Sequence, residues 1–318
     1  MAGSRAEAKA RAHGPLVVEL RGAALTIGID RAAKRNALDD ATIDALEEVF
    51  SDIPDSARAA VLYGIGDNFS AGLDLNGVGE RDMAAAIAHS RAWHRAFDKI
   101  EFGPIPVVAA LKGAVIGGGL ELAAAAHIRV DEPSPYYALP EGQRGIFVGG
   151  GGSVRLPRLI GVARMADMML TGRVYAAEEG AAIGLAQYQV GEGEGFAKAL
   201  ALAEAIAGNA PLSNFAVIQA LPRIADSDPR VGYLMESLMA AVAQSDGEAK
   251  SRVRAFLDKR AAKTRPERPA CARPAAPWRA SSTTPTSSRA RARRSSTTTA
   301  RCRWFRRSIL ASRPAAKP

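Results

Sequence analysis

Cysteine is nearly absent. Of 318 residues only Cys271 and Cys302 are cysteine, and both lie beyond residue 265. The first 265 residues therefore hold no disulfide framework and no thiol nucleophile, which fits a reducing compartment, with the cytoplasm as the expected location. Long hydrophobic runs are missing too. No stretch approaches eighteen apolar residues free of charge, so no membrane span is expected. The opening MAGSRAEAKARAHG lacks the apolar core of a secretory signal. His89, His94 and His127 are not spaced with acids as metal ligands, so no metal is expected, and no Ser-His-Asp triad is visible. Ser70 and Ser153 lack the context of a nucleophile elbow. The phosphate-loop string G-x-x-x-x-G-K-[ST] does not occur, and neither Gly64-Ile65-Gly66 nor Gly117-Gly118-Gly119 completes the dinucleotide pattern G-x-G-x-x-G.

What is present divides unevenly. The formal net charge is +9. Residues 266–318 alone hold twelve Arg, one Lys and a single acid, a net of +12, so residues 1–265 carry −3. The basic signal thus belongs to the tail, which is Arg, Ser, Thr, Pro and Ala with no apolar periodicity and cannot bury enough to fold alone. Its composition is that of an out-of-frame or extended end of a GC-rich coding sequence. The alternative is an RNA- or anion-binding tail on a scaffold.

The body alternates strand and helix signals. Leu16–Leu20 and Ala24–Ile29 read as strands around an Arg21-Gly22 turn. Asp39 and Asp40 cap a helical pattern through Ile43, Leu46, Val49 and Phe50. Ala59–Leu62, Pro106–Leu111, His127–Val130 and Tyr136–Leu139 read as strands; Met83–Phe97, Gly119–Ala126 and the region Leu156–Leu170 read as helices. This is an α/β pattern. After Gly191 helices dominate: Phe196–Ala207, Asn214–Ile224, Val231–Ala243 and Glu248–Arg260. The expected organisation is a flexible N-terminus (1–14), a core (15–190), a helical C-terminal region (191–265) and a basic disordered tail (266–318).

VIGGGLEL, Val115 to Leu122, places three glycines between an apolar run and Glu121. Backbone without side chains can cradle a phosphate, form an oxyanion hole, or make a close-packed turn. An oxyanion hole needs two N–H groups aimed at one developing negative charge, and a helix N-terminus supplies one. SAGLDL, Ser70 to Leu75, offers a second small-residue bend after a buried strand.

The order of motifs adds to this reading. IDRAAKRNAL (Ile29–Leu38), NFSAGLDL (Asn68–Leu75), GAVIGGGLELA followed by AHIRV, LPEGQRGIFVGGGGSVRLPRLIG and LTGRVYAAEEGAAIGLAQYQV together resemble the crotonase (enoyl-CoA hydratase/isomerase) superfamily from about Leu16 to Arg260. The resemblance implies a spiral of ββα repeats with a C-terminal helical region that trimerises, often pairing trimers into hexamers. It implies an acyl-CoA substrate in lipid metabolism such as β-oxidation, with CoA entering as part of the substrate and no separate cofactor. It also implies the N–H groups of Leu73 and Gly118 as oxyanion donors, and Ala71, Gly72, Asp74 and Gly117 as the backbone around the thioester. Lys34 and Arg35 stand where a CoA phosphate contact is plausible, and Asp74 is expected to fix the bend after Leu73.

By position Glu121 and Glu141 match the two acids of the family's hydratases. Adding water to an α,β-unsaturated thioester needs a base for the water and an acid for Cα, and two carboxylates can divide these roles if their environments differ. The expectation is Glu121 as base and Glu141 as acid. The alternatives are a double-bond isomerase, or a thioester or ring-opening hydrolase. Arg144 stands close enough in sequence to pair with Glu141 and lower its pKa. Trp93 and Phe97 read as core or acyl-pocket wall.

Overall fold

A computed structural model describes residues 11–77, 81–258 and 260. Among the described residues ten strands form two sheets. The larger contains, in spatial order, β1 (Arg11–His13), β2 (Leu16–Arg21), β3 (Ala24–Ile29), β4 (Ala59–Gly64), β5 (Val107–Leu111), β7 (Ile128–Asp131) and β10 (Tyr188–Gln189). The smaller contains β6 (Ala114–Ile116), β8 (Tyr136–Ala138) and β9 (Tyr175–Ala176). β2 and β3 form the expected antiparallel hairpin, with Arg21 opposite Ala24. From β3 onward the large sheet is parallel.

Every residue of β3 and β5 is buried. Such strands read as unbroken apolar runs because a parallel sheet is covered on both faces. Along β4 the side chains alternate between two cores. Ala60 and Leu62 face the main core, which also holds Ile27, Leu46, Phe97 and Leu122. Ala59 and Val61 face Ala199 and Ala203 of α7 (Gly195–Ala207) on the other side.

The chain spirals. Each turn lays a strand in the large sheet, a short strand or bridge in the small one, and then a helix. β5 and β6 lead into α3 (Gly118–Ala125); β7 and β8 lead to α4 (Gly152–Ile160) and α5 (Val162–Thr171). Two earlier turns are joined by single parallel bridges, Leu38 with Leu73 and then Ser70 with Val115 of β6. They lead into α1 (Asp40–Ser51) and α2 (Met83–Glu101). These bridges lay Ser70–Leu73 beside β6, just ahead of Gly117–Gly119. α6 (Ala177–Ile183) fills the last turn before β10. Asp39 caps α1 as expected, accepting from the Thr42 N–H at 2.9 Å.

Some elements differ from the sequence reading. Arg11–His13, assigned there to a flexible N-terminus, pairs with Leu16–Val18. Asn214–Ile224, read as one helix, lies in an unbroken helical run of α8 (Pro211–Phe215), a π turn over Ala216–Ala220 and α9 (Leu221–Asp226). Pro222 fits the π turn, because it has no N–H to give to residue 218. α10 (Pro229–Ser245) and α11 (Gly247–Leu257) follow. They leave Tyr233, Leu234, Leu238, Phe256 and Leu257 more than half exposed. Among the described residues no helix is long and apolar enough to cross a membrane. The basic tail, 266–318, and residues 1–10 lie outside the described residues.

Candidate active site

The site is built first from backbone. Gly72 has φ 87°, and a Cβ there would stand 2.5 Å from the Ile116 carbonyl oxygen and 3.1 Å from the Gly118 nitrogen. The two glycine segments therefore touch main chain to main chain, which only glycine permits. Leu38 N–H donates to Gly72 O and Asp74 N–H donates to Leu38 O, each at 2.8 Å. These bonds flank Leu73 and leave its own N–H outside the ladder. Gly118 opens α3, where the first N–H groups have no intrahelical acceptor. Among the described residues neither the Leu73 nor the Gly118 N–H has a hydrogen-bond acceptor. The Leu73 nitrogen lies 3.5 Å from the Cβ position of Gly118. Both residues line one cavity of about 480 Å³, together with Ala71, Gly72, Gly117, Glu121 and Glu141. The sequence-predicted donors and acids thus meet in one place.

Asn36 locks the first donor segment. Its side chain is fully buried, donates to the carbonyls of Ile65 and Asn68, and accepts from the Arg31 N–H. Ser70 Oγ donates to the Asn36 carbonyl and accepts from the Gly72 N–H. Asp74 lies next to Leu73, accepting from Lys34 Nζ at 3.0 Å and from Arg31 at 2.9 Å. Those hydrogen bonds, Lys34 first, hold its carboxyl well below the usual range. Lys34 is thus drawn to Asp74 within the protein itself. Arg35 has φ 51°, is exposed, and accepts the Ala71 N–H on its carbonyl.

The two acids have different surroundings. Glu121, 3% exposed, accepts on Oε1 from the Gly150 and Gly152 N–H groups at 2.8 and 2.7 Å. Burial raises its pKa, opposed by N–H donors from Gly152, Gly150 and Gly149 and by the charge of Arg155. Glu141, 7% exposed, has Oε1 2.5 Å from where a Cβ on Gly117 would stand. Gly117 has φ 52° and must be glycine on both counts. Glu141 Oε2 is buried with no hydrogen-bond partner among the described residues. Burial, with a smaller contribution from the nearby Glu121 charge, pushes its pKa up to about 7 against the pull of its own backbone N–H and the lesser pull of Arg144. The sequence reading had allowed Arg144 to pair with Glu141 and depress it. Arg144 is instead exposed, makes no ion pair with Glu141, and loses to desolvation.

Sequence reasoning missed most of the pocket wall. α2 contributes Ala86, His89 and Ser90 besides Trp93, and the loop before α4 contributes Ile146, Phe147 and Val148. Trp93 is buried, and its Nε1 donates to His89 Nε2 at 3.2 Å. α2 carries only a weak apolar pattern, so nothing in its sequence marks which residues face the cavity. Among the described residues no cluster of His, Cys, Asp and Glu could hold a metal ion.

Comparison with known proteins agrees with this geometry. Residues 19–265 match the family model described as enoyl-CoA hydratase/isomerase. The chain belongs to the enoyl-CoA hydratase/isomerase family. Among curated family members, enoyl-CoA hydratase EchA19 of Mycobacterium tuberculosis is 29% identical over 250 residues, covering 77% of this chain and 94% of its own. A solved structure from Rhodopseudomonas palustris, described as a candidate enoyl-CoA hydratase, is 64% identical with a TM-score of 0.76. That match covers 79% of this chain and 98% of the other. An enoyl-CoA hydratase structure from Bacillus anthracis is 29% identical with a TM-score of 0.74, covering 78% and 97%. The spiral fold is the crotonase fold, and the protein is an enzyme of the hydratase/isomerase type. In this family member two unpaired N–H groups and two buried carboxylates of unlike surroundings face one cavity. That set can stabilise an enolate while moving a proton at each of two carbons.

Proposed function

We propose that the protein is an enoyl-CoA hydratase, adding water across the 2,3 double bond of an enoyl-CoA thioester. The observation that carries this is the pair Glu121 and Glu141: both buried beside the two free N–H groups, one held by backbone donors, the other left with an unpartnered oxygen. The thioester oxygen accepts from the N–H groups of Leu73 and Gly118. Negative charge then develops on that oxygen as water adds at Cβ, and preorganised donors favour that state over the ground state. Glu121 is the base that takes a proton from the water. Burial raises its pKa, and its N–H donors oppose that rise by favouring the charged carboxylate. Glu141, with a pKa near 7, holds a proton for Cα over the neutral range. One proton leaves water, one reaches Cα, and transfer between the two acids restores the starting state.

CoA is read here as part of the substrate, with no other cofactor. The exposed apolar residues of α10 and α11 support a homotrimer or hexamer as the working assembly. The test is loss of the ultraviolet absorbance of trans-2-enoyl-CoAs of short, medium and long chain, with wild type, Glu121→Gln and Glu141→Gln. Loss of at least ~100-fold in both variants is expected. No turnover at any chain length overturns hydration; activity on a 3-enoyl-CoA that needs only one of the two acids establishes an isomerase instead.

A further inference from the structure

Glu121 is held by the backbone of a turn that is four glycines long, Gly149 to Gly152. Glycine is the residue least able to fix its own peptide planes. Something outside the turn must set them, and the structure shows what does. In a trans peptide the C=O of one residue and the N–H of the next point in opposite directions. Ser90 Oγ, on α2, donates to the Gly149 carbonyl at 2.7 Å. The other end of that same peptide is the Gly150 N–H, which donates to Glu121 Oε1 at 2.8 Å. The next carbonyl, Gly150, accepts from Arg155 Nη1 at 2.9 Å. The Gly151 carbonyl accepts from the Val154 and Arg155 N–H groups in the first turn of α4, and its peptide partner, the Gly152 N–H, reaches Glu121 at 2.7 Å. The Gly149 and Gly151 carbonyls are thus tied on the side away from Glu121, and the Gly150 carbonyl between them is tied to Arg155.

We propose that Ser90 is a positioning residue for Glu121: by holding the Gly149 carbonyl it aims the Gly150 N–H at the carboxylate, while Arg155 steadies the neighbouring peptide through the Gly150 carbonyl. Arg155 is itself fixed, 6% exposed and paired with Asp98 at 2.8 Å and with Glu101, both on α2. One helix therefore supplies Ser90 directly and Arg155 through its acids. Neither residue needs to touch substrate for this. Ser90 borders the cavity, but its hydroxyl is committed to Gly149.

The inference rests on the reading of Glu121 as the base. The charged groups around it are Glu141 after β8, Arg155 on α4, and His94, Asp98 and Glu101 on α2. His94 also leans on the Gly149 carbonyl. Ser90→Ala changes none of these charges and removes one hydroxyl from a helix that tolerates alanine. Without its tether the 149–150 peptide is held only by the weaker contact of His94, and the carboxylate loses part of a donor to its charged form. The pKa of the base then rises, and activity is lost first at low pH.

The experiment is the pH profile of kcat/KM on an enoyl-CoA, for wild type, Ser90→Ala, Ser90→Thr, Arg155→Lys and Glu121→Gln. Expected is an acidic limb moved up by about one pH unit in Ser90→Ala, a ~10-fold loss on that limb. The activity at the optimum should be much less changed. Ser90→Thr keeps a hydroxyl and recovers most of the shift; Arg155→Lys keeps the charge, loses the fork, and moves the limb in the same direction. If Glu121→Gln is inactive and the limb of Ser90→Ala does not move, the positioning role is wrong. If Glu121→Gln remains active, the reading of Glu121 as base fails first, and the inference falls with it.

Discussion

A Cβ on Gly118 would stand 2.5 Å from Cζ3 of Trp93. The indole and the Gly118 N–H, the second donor in the proposed oxyanion hole, occupy adjoining space, so Gly118→Ala must displace one of them. Loss of a well-placed oxyanion donor costs about 10²–10³ in kcat. Gly118→Ala is expected to show that loss with its circular dichroism unchanged. Adding Trp93→Leu makes room for the methyl group and should return at least part of the activity. A double variant no better than Gly118→Ala would mean that the clash with the ring is not what misplaces the N–H.

Glu141 carries a stability cost that activity conceals. Its pKa rises from the ordinary 4.5 to about 7 on folding, so between those values the native state binds more protons than the unfolded chain. Stability must then fall as pH rises through that window. The expected cost at pH 8 is on the order of 3 kcal/mol. Glu141→Gln removes it, and should be more stable than wild type at pH 8 while nearly equal to it at pH 4.5. Thermal melts at the two pH values measure this. An equal effect at both would show that the carboxyl does not titrate across the window.

With Glu141 as the proposed acid, Arg144 is expected to influence the upper edge of the working range. A general acid must be protonated, so activity falls as pH rises past its pKa. Arg144 pulls that value down. Arg144→Gln should therefore move the alkaline limb of kcat/KM upward, by less than one unit because the guanidinium is exposed and screened. A downward move would mean that another group defines the limb.

Much of the site can be read from the sequence because it is made of backbone. A segment that must approach a thioester closely has to be Gly, Ala or Ser, and SAGLDL and VIGGGLEL display that requirement as strings. The β2–β3 hairpin and the Asp39 cap are equally local and equally plain. The relation of Glu121 to its supports is not. Ser90 meets Gly149 across 59 residues of chain, and a serine on a weakly patterned helix carries no mark of that contact. β9 and β10 have two residues each, too short for any period to appear, and exist because longer neighbours pair with them. The sign of Arg144's influence was legible, but its size was not. Proximity in sequence speaks to charge, while desolvation depends on everything packed around Glu141.

The turn from Gly149 to Gly152 has a consequence for anyone seeking to alter this enzyme. A carboxylate gripped by side chains can be retuned by exchanging those side chains. Here the grip has none to exchange, and a substituent on Gly150 or Gly152 would collide with Glu121 or its neighbours within 3.2 Å. The accessible handles sit one shell out, on α2 and at the start of α4. A library that diversifies only the apolar wall, Ala86, Ile146, Phe147 and Val148, is expected to widen or narrow what the enzyme accepts while leaving its pH range where it is. One that samples positions 90, 98, 101 and 155 would move the pH range instead.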